Sequence, residues 1–212
     1  NYRYNLKIKL ICLLFFSLII FYRSPYILLN GRFVSEEGYI FFKNSFENGA
    51  LFGFFQIFLE TGYLNIWANI ASVIALIPPL EFAPLVTVYL SLSLKIYILI
   101  FVLFSDSYFF KTLKDRIIIC LVILISPLMV PEIWLNTLNS MSYFGILTIL
   151  IFFQSNTNSN FLEKLSPYIL FLSGLSSLYS SILAPFFLIK YYLDRNKSNF
   201  HNFIFITLSA II

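Results

Sequence analysis

The chain has 212 residues, of which 59% are hydrophobic, 20% aromatic and only 11% charged, and its mean hydropathy is +0.86. Soluble domains carry roughly 25% charged residues, so this composition excludes an ordinary water-soluble fold. The net charge of +4 does not indicate a nucleic-acid partner, because the cations are dispersed at loop ends and form no single basic face.

Stretches free of Asp, Glu, Lys and Arg run over Thr61–Leu80, Ile117–Pro131, Ile133–Leu162 and Leu165–Ile189. They do not alternate as barrel strands would, and a helix of about 20 apolar residues crosses a bilayer. The expected fold class is all-α: a polytopic transmembrane bundle, residues 1–212 forming one domain. Beginning at Asn1 and stopping within an apolar run at Ile212, the sequence reads as the N-terminal portion of a longer chain. Cys12 and Cys120 both lie in apolar runs without metal or redox spacing, and read as small hydrophobes.

The first helix is expected over Lys9–Tyr22. Arg3, Lys7 and Lys9 precede it and place the N-terminus in the cytoplasm. The bulky Tyr22-Arg23-Ser24-Pro25-Tyr26 that follows is no signal-peptidase site, so the helix stays as an anchor. An extracytoplasmic loop then occupies residues 24–62. Further spans are expected over Tyr63–Ile77 (stopped by Pro78-Pro79), Phe82–Phe104, a stretch ending near Pro131, another ending near Phe153, Pro167–Ile189, and one from Phe203. Counting them puts Lys111, Lys114 and Arg116 outside, against the positive-inside rule, while Lys190, Arg195 and Lys197 fall inside. Either the Ser105–Arg116 loop is an exception or one apolar run is broken into half-helices, as Leu51–Leu59 could be.

The first outer loop carries the chemistry. It reads RFVSEEGYIFFKNSFENG from Arg32 to Gly49, with the adjacent carboxylates Glu36 and Glu37. Wound as an α-helix at about 100° per residue, Glu36–Asn48 sets Tyr39, Phe42 and Phe46 on one face and Glu37, Asn44 and Asn48 opposite. Lys43 and Glu47 can then pair at i,i+4. Such a helix would lie in the interface with its aromatic side down and Glu37 over a surface cavity. The competing reading makes both glutamates solvated loop charges.

Gly31-Arg32-Phe33, Glu36-Glu37-Gly38 and Phe41-Phe42, followed by Gly62-Tyr63-Leu64, resemble the GT-C superfamily of multi-pass bacterial glycosyltransferases. Trp134-Leu135-Asn136-Thr137-Leu138-Asn139 and Gly174-Leu175-Ser176-Ser177 fit the same likeness. Two positions depart from the pattern: the pair is Glu-Glu rather than Glu-Asp, and Asn69 stands where an Arg is usual. The resemblance implies a polyprenyl-phosphate-linked sugar donor, a glycan or glycolipid acceptor, and residence in the bacterial plasma membrane. It implies Glu37 as the general base, with Glu36 orienting the acceptor or holding a divalent cation, the one cofactor in question.

A leaving phosphate needs positive charge, for which Arg32 is the nearest candidate. Lys95, alone in an apolar run, is the second, since an intramembrane cation faces a cavity, a partner or an interface. Asn136 and Asn139 could bind sugar hydroxyls beneath a stacking Trp134, or simply form a turn beside an interfacial anchor. Tyr63 is a donor contact or an aromatic-belt residue. Glu132 reads as a helix N-terminal charge, and His201 lies in a polar loop without a role. The alternative functions are a transporter or flippase for lipid-linked saccharides, favoured by the midplane Lys95, and an inactive truncated membrane protein.

Overall fold

A computed structural model describes residues 6–57, 64–125, 134–155 and 161–211. The described residues are all-helical apart from one isolated bridge between Ser107 and Gln154. The expected spans at Tyr63 and Pro131 therefore have ends outside the described residues.

The first helix, α1 (Leu6–Arg23), is three residues longer at its start than expected. Pro25, fixed at helical φ in a first turn, opens the short α2 (Pro25–Asn30). The outer loop then winds as a π-helix over Glu37–Phe42 and continues as α3 (Lys43–Asn48) and α4 (Ala50–Phe54). The next helix, α5, covers only Ile66–Ile74; Asn65 caps it by accepting the Ala68 N–H at 3.2 Å. At about 1.5 Å per residue, nine residues cannot cross a bilayer. The expected span Tyr63–Ile77 is thus a half-helix. It packs against the outer loop through the Ser45–Ser72 hydroxyl bond of 2.8 Å. Asn69 ties down the end of α4, its amide donating to Phe54 O at 3.0 Å and Gln56 O at 2.7 Å.

After Pro78-Pro79 and a 3-10 turn, α6 runs Ala83–Phe104; with that turn, Leu80–Phe104 is the one described helix long and apolar enough by itself to cross a membrane. It is followed by α7 (Leu113–Ile125), α8 (Ser140–Phe152) and α9 (Phe161–Ser176). The expected sixth span is two pieces. Pro167 lies inside α9, and beyond Ser177 the chain bends by 117° into α10 (Leu178–Ser181) and α11 (Ala184–Asp194). The last helix, α12 (Lys197–Ile211), begins six residues before the expected Phe203.

The direction of the helices resolves the charge conflict. Lys9, near the start of α1, sits over the Phe104 ring at the end of α6, and Arg23, at the end of α1, donates to Leu124 O near the end of α7. So α1, α6 and α7 are successively antiparallel, and α5 reverses nothing. Arg116 donates to Val102 O and Ser105 O at 2.6 and 2.7 Å, satisfying carbonyls that end α6. The Ser155 N–H donates to Asp106 O, and Lys190 Nζ to Phe152 O at 2.5 Å, which brings the α8–α9 and α11–α12 junctions to that same end. Lys7, Lys9, Lys111, Lys114, Arg116, Lys164, Lys190, Arg195 and Lys197 therefore share one end. The outer loop and the Trp134–Asn139 turn lie at the other.

Large hydrophobic side chains line the surface of several helices, around a core that is mainly apolar. α1 exposes Leu10, Ile11, Leu14, Phe15 and Leu18, and α11 exposes Phe186, Ile189 and Leu193. Inside, Thr148 bonds Ser180, Ser166 bonds Gln154, and α9 meets α12 where Gly174 seats the Ser209 side chain. Small polar residues at helix contacts let backbones approach closely.

Candidate functional site

The π-helix decides where the acidic pair points. Its i→i+5 winding turns each residue through less than an α-helix does, so the expected face is rotated. Glu37 is 2% exposed and packs inward with Phe41, Phe42 and Ser45, whereas Tyr39 and Phe46 are exposed at 61% and 62%. Of the expected polar face, Glu37 is therefore buried, Asn44 half-buried and Asn48 exposed, while Phe42 of the expected aromatic face is buried. Glu36 is half-buried. The surface pair Lys43–Glu47 forms as expected at 3.9 Å.

Glu37 is held from four directions. Its Oε1 accepts the Thr137 N–H at 2.9 Å and the Thr137 hydroxyl in a short hydrogen bond. Its Oε2 accepts the Val34 N–H at 3.4 Å, and the Thr87 hydroxyl of α6 also reaches the carboxylate. This knot joins segments one hundred residues apart, and it removes the solvated-charge reading for Glu37. Among the described residues, three non-glycine residues have left-handed backbone: Ser35 (φ 47°), Leu135 (φ 54°) and Arg195 (φ 51°). Arg195 ends α11, but Ser35 and Leu135 immediately precede the two segments that meet at Glu37. Backbone held in this region costs about 1–3 kcal/mol and clusters at functional sites.

Burial raises the Glu37 carboxyl above its ordinary value of 4.5, outweighing the Thr137, Val34 and Thr87 donors, which act the other way. A group whose folded pKa is raised binds a proton in the fold before the unfolded chain does. Stability therefore increases as pH falls through the folded pKa, and the gain is complete below the unfolded one. Relative to Glu37→Gln, the wild-type unfolding midpoint in neutral detergent should rise as the pH is lowered toward the ordinary carboxyl value of 4.5. A pH-independent difference would mean the carboxylate is not desolvated.

The Trp134–Asn139 turn is folded by its own residues. Asn136 Oδ1 accepts the Leu138 N–H at 2.7 Å and the Asn139 N–H at 3.2 Å, and Asn65 Nδ2 donates to Leu138 O at 3.1 Å. Asn136 is thus buried, and only half-buried Asn139, at the N-cap of α8, remains near a rim; the two do not share an open face. Trp134 is buried as well, which corrects both the sugar-stacking and the interfacial-anchor expectations. Arg32 is half-buried in the acidic loop, and Tyr63 lies outside the described residues.

Thr87, Ser91 and Lys95 repeat every four residues along α6 and are all buried. They form one stripe about 12 Å long by helix rise, with Glu37 at its upper end. At its lower end Lys95, 3% exposed, has its Nζ 3.2 Å from the Trp134 ring centre and 4.4 Å from that of Tyr143. Arg23 lies over the same indole at 3.8 Å. Arg23 was missed in the sequence because it reads as a helix-end charge; only its position beside Trp134, distant in the chain, distinguishes it.

The chain matches no protein-family model, no curated protein and no solved structure. Among the described residues no three His, Cys, Asp or Glu side chains gather to hold a metal. Both Glu37 oxygens are already engaged by donors, so the acidic pair does not fit a divalent cation.

Proposed function

We propose that the protein is a multi-pass membrane glycosyltransferase of the GT-C type. It moves a sugar from a polyprenyl-phosphate carrier to a glycan or glycolipid acceptor of the bacterial envelope. The observation that carries this reading is the knot between Glu37 and Thr137, a buried acid fixed between two strained turns directly beside Glu36. The many large hydrophobic side chains exposed on the helix surfaces support a bilayer setting. The clustering of cations at one end supports a cytoplasmic N-terminus with the acidic loop on the opposite face.

In this reading the half-buried Glu36 meets the acceptor hydroxyl and takes its proton. The acceptor oxygen bonds to the anomeric carbon as the carbon–oxygen bond to the lipid phosphate breaks, its electron pair leaving with the phosphate. Glu37 is the positioning residue, holding Glu36 at a fixed angle to the Trp134–Asn139 turn. Arg32 supplies the loop's positive charge, and Asn139 and Tyr63 are the candidates for sugar hydroxyls.

The test compares wild type, Glu36→Gln and Glu37→Gln at matched membrane abundance, reading envelope glycan composition and sugar transfer in isolated membranes. Glu36→Gln should lower transfer by about 10²-fold or more without changing abundance. Normal transfer in that variant would remove Glu36 as the base, and transfer that is unchanged in membranes lacking the protein would remove the enzyme reading. Transport of lipid-linked saccharides is the second reading, favoured by the 117° break after α9 and the half-helix α5. Carrier flipping into vesicles that survives Glu36→Gln would support it.

A further inference from the structure

We propose that Lys95 is the buried counter-cation of Glu37 and keeps this outer-loop acid charged from within the bundle. The bonding around Glu37 is that of a carboxylate: Thr137, Val34 and Thr87 all donate to it, and an ionised carboxyl only accepts. A buried charge needs a partner of opposite sign. Among the described residues no cation lies within ion-pair distance of Glu37. Lys95 has the complementary need. Its Nζ is buried in α6 with no hydrogen-bond acceptor among the described residues.

Two separate parts of the fold tie these groups together. Along α6, Thr87 reaches the Glu37 carboxylate. Ser91 follows one turn later, its hydroxyl buried without a partner among the described residues, and Lys95 one turn after that. Across from α6, the Trp134 ring lies 3.2 Å from Lys95 Nζ, and three residues further on Thr137 bonds Glu37. Long helical side chains lean toward the helix N-terminus, which for Lys95 is the direction of Ser91 and Glu37.

The stripe is about 12 Å long, and burial at both ends leaves the two charges little screened by salt. At an effective dielectric constant of about 20, opposite charges about 12 Å apart change each other's proton affinity by about tenfold. Other titratable groups lie nearby. Arg32 and Glu36 flank Glu37 on its own loop and are half-buried, and Glu81 before α6 is exposed. Arg23 of α1 and Tyr143 of α8 face Lys95. The α5 helix and the Trp134–Asn139 turn bring no charge. Lys95 is thus a positioning residue, which acts by keeping Glu37 an acceptor for Thr137. The inference deepens the transferase reading, in which Glu37 positions Glu36.

Infrared spectroscopy tests it without sugar or carrier, so its failure is separable from a failure of transfer. A protonated carboxyl has a C=O stretch that a carboxylate lacks, and subtracting the matching Glu37→Gln spectrum isolates that of Glu37. The full chain in neutral detergent is titrated with acid. Lys95→Met should move the Glu37 midpoint upward by about one pH unit, a tenfold change. Lys95→Gln should do the same, and it decides the matter if Lys95→Met does not fold. Lys95→Arg keeps the charge and should stay near wild type. So should Lys164→Met, which removes an exposed cation at the opposite end of the bundle. An unchanged midpoint in Lys95→Met and Lys95→Gln overturns the inference. An equal shift in Lys95→Arg would make the effect one of packing, and in Lys164→Met one of net charge; either result overturns it too.

Discussion

Glu37→Ala is expected to lower stability by about 2–4 kcal/mol. The deletion leaves the Thr137 N–H and hydroxyl buried without an acceptor, and a buried unsatisfied donor costs about 1–3 kcal/mol. The relief of desolvating one carboxylate offsets part of this, because burial already holds Glu37 against ionisation. Glu37→Gln keeps a carbonyl oxygen for Thr137 but turns an NH2 toward the Val34 N–H, so its loss should be smaller. Thr137→Val should reproduce part of the Glu37→Ala effect and add little in the double variant, since both remove the same contact. Unfolding midpoints in detergent for the four proteins check this. Full additivity would show that Glu37 and Thr137 act separately. The same cycle for Glu36→Ala should show almost no stability loss, because Glu36 is only half-buried.

Gly31→Ala should cost about 3–5 kcal/mol and reduce the amount of folded protein in the membrane. Gly31 has φ +67° and ψ 166°, a conformation essentially confined to glycine, where an L side chain is strained by about 1–3 kcal/mol. A Cβ there would also lie 2.7 Å from Leu85 N and 2.9 Å from the Pro84 carbonyl carbon. Those atoms are backbone at the start of α6, so no rotamer change can make room. The added methyl would push the outer loop off α6 and carry Glu37 away from Thr87. Gly49 provides the control: its φ is +92° and nothing lies within 4 Å of the added atom. Gly49→Ala should therefore cost only the backbone strain, about 1–3 kcal/mol. Equal losses at the two glycines would show that the close approach of α2 to α6 is not tight.

Much of the chain could be read from its residues alone. The helical class, the ends of α1 and α8, the Pro-defined start of α6 and the Lys43–Glu47 pair all follow from apolar run length, proline and i,i+4 spacing, which are local properties. The acidic pair was also legible as a feature, because two adjacent carboxylates between apolar runs are costly to place by accident. Its orientation was not legible, since an α-helical wheel and a π-helix differ by a small rotation per residue that accumulates across the turn. Nor could local pattern distinguish a nine-residue half-helix from a span, because apolar length bounds a crossing without enforcing one. That difference moves Lys111, Lys114 and Arg116 to the end of the bundle where Lys9 lies.

Composition and periodicity determined that this chain is all-helical, because hydrophobic run length is additive along the sequence. Only the tertiary structure decided that Glu37 meets Thr137, that Lys95 and Arg23 share Trp134, and that α5 turns back. Each of these depends on which distant segments touch, and contact between segments a hundred residues apart is set by packing of the whole bundle, leaving no trace in local spacing.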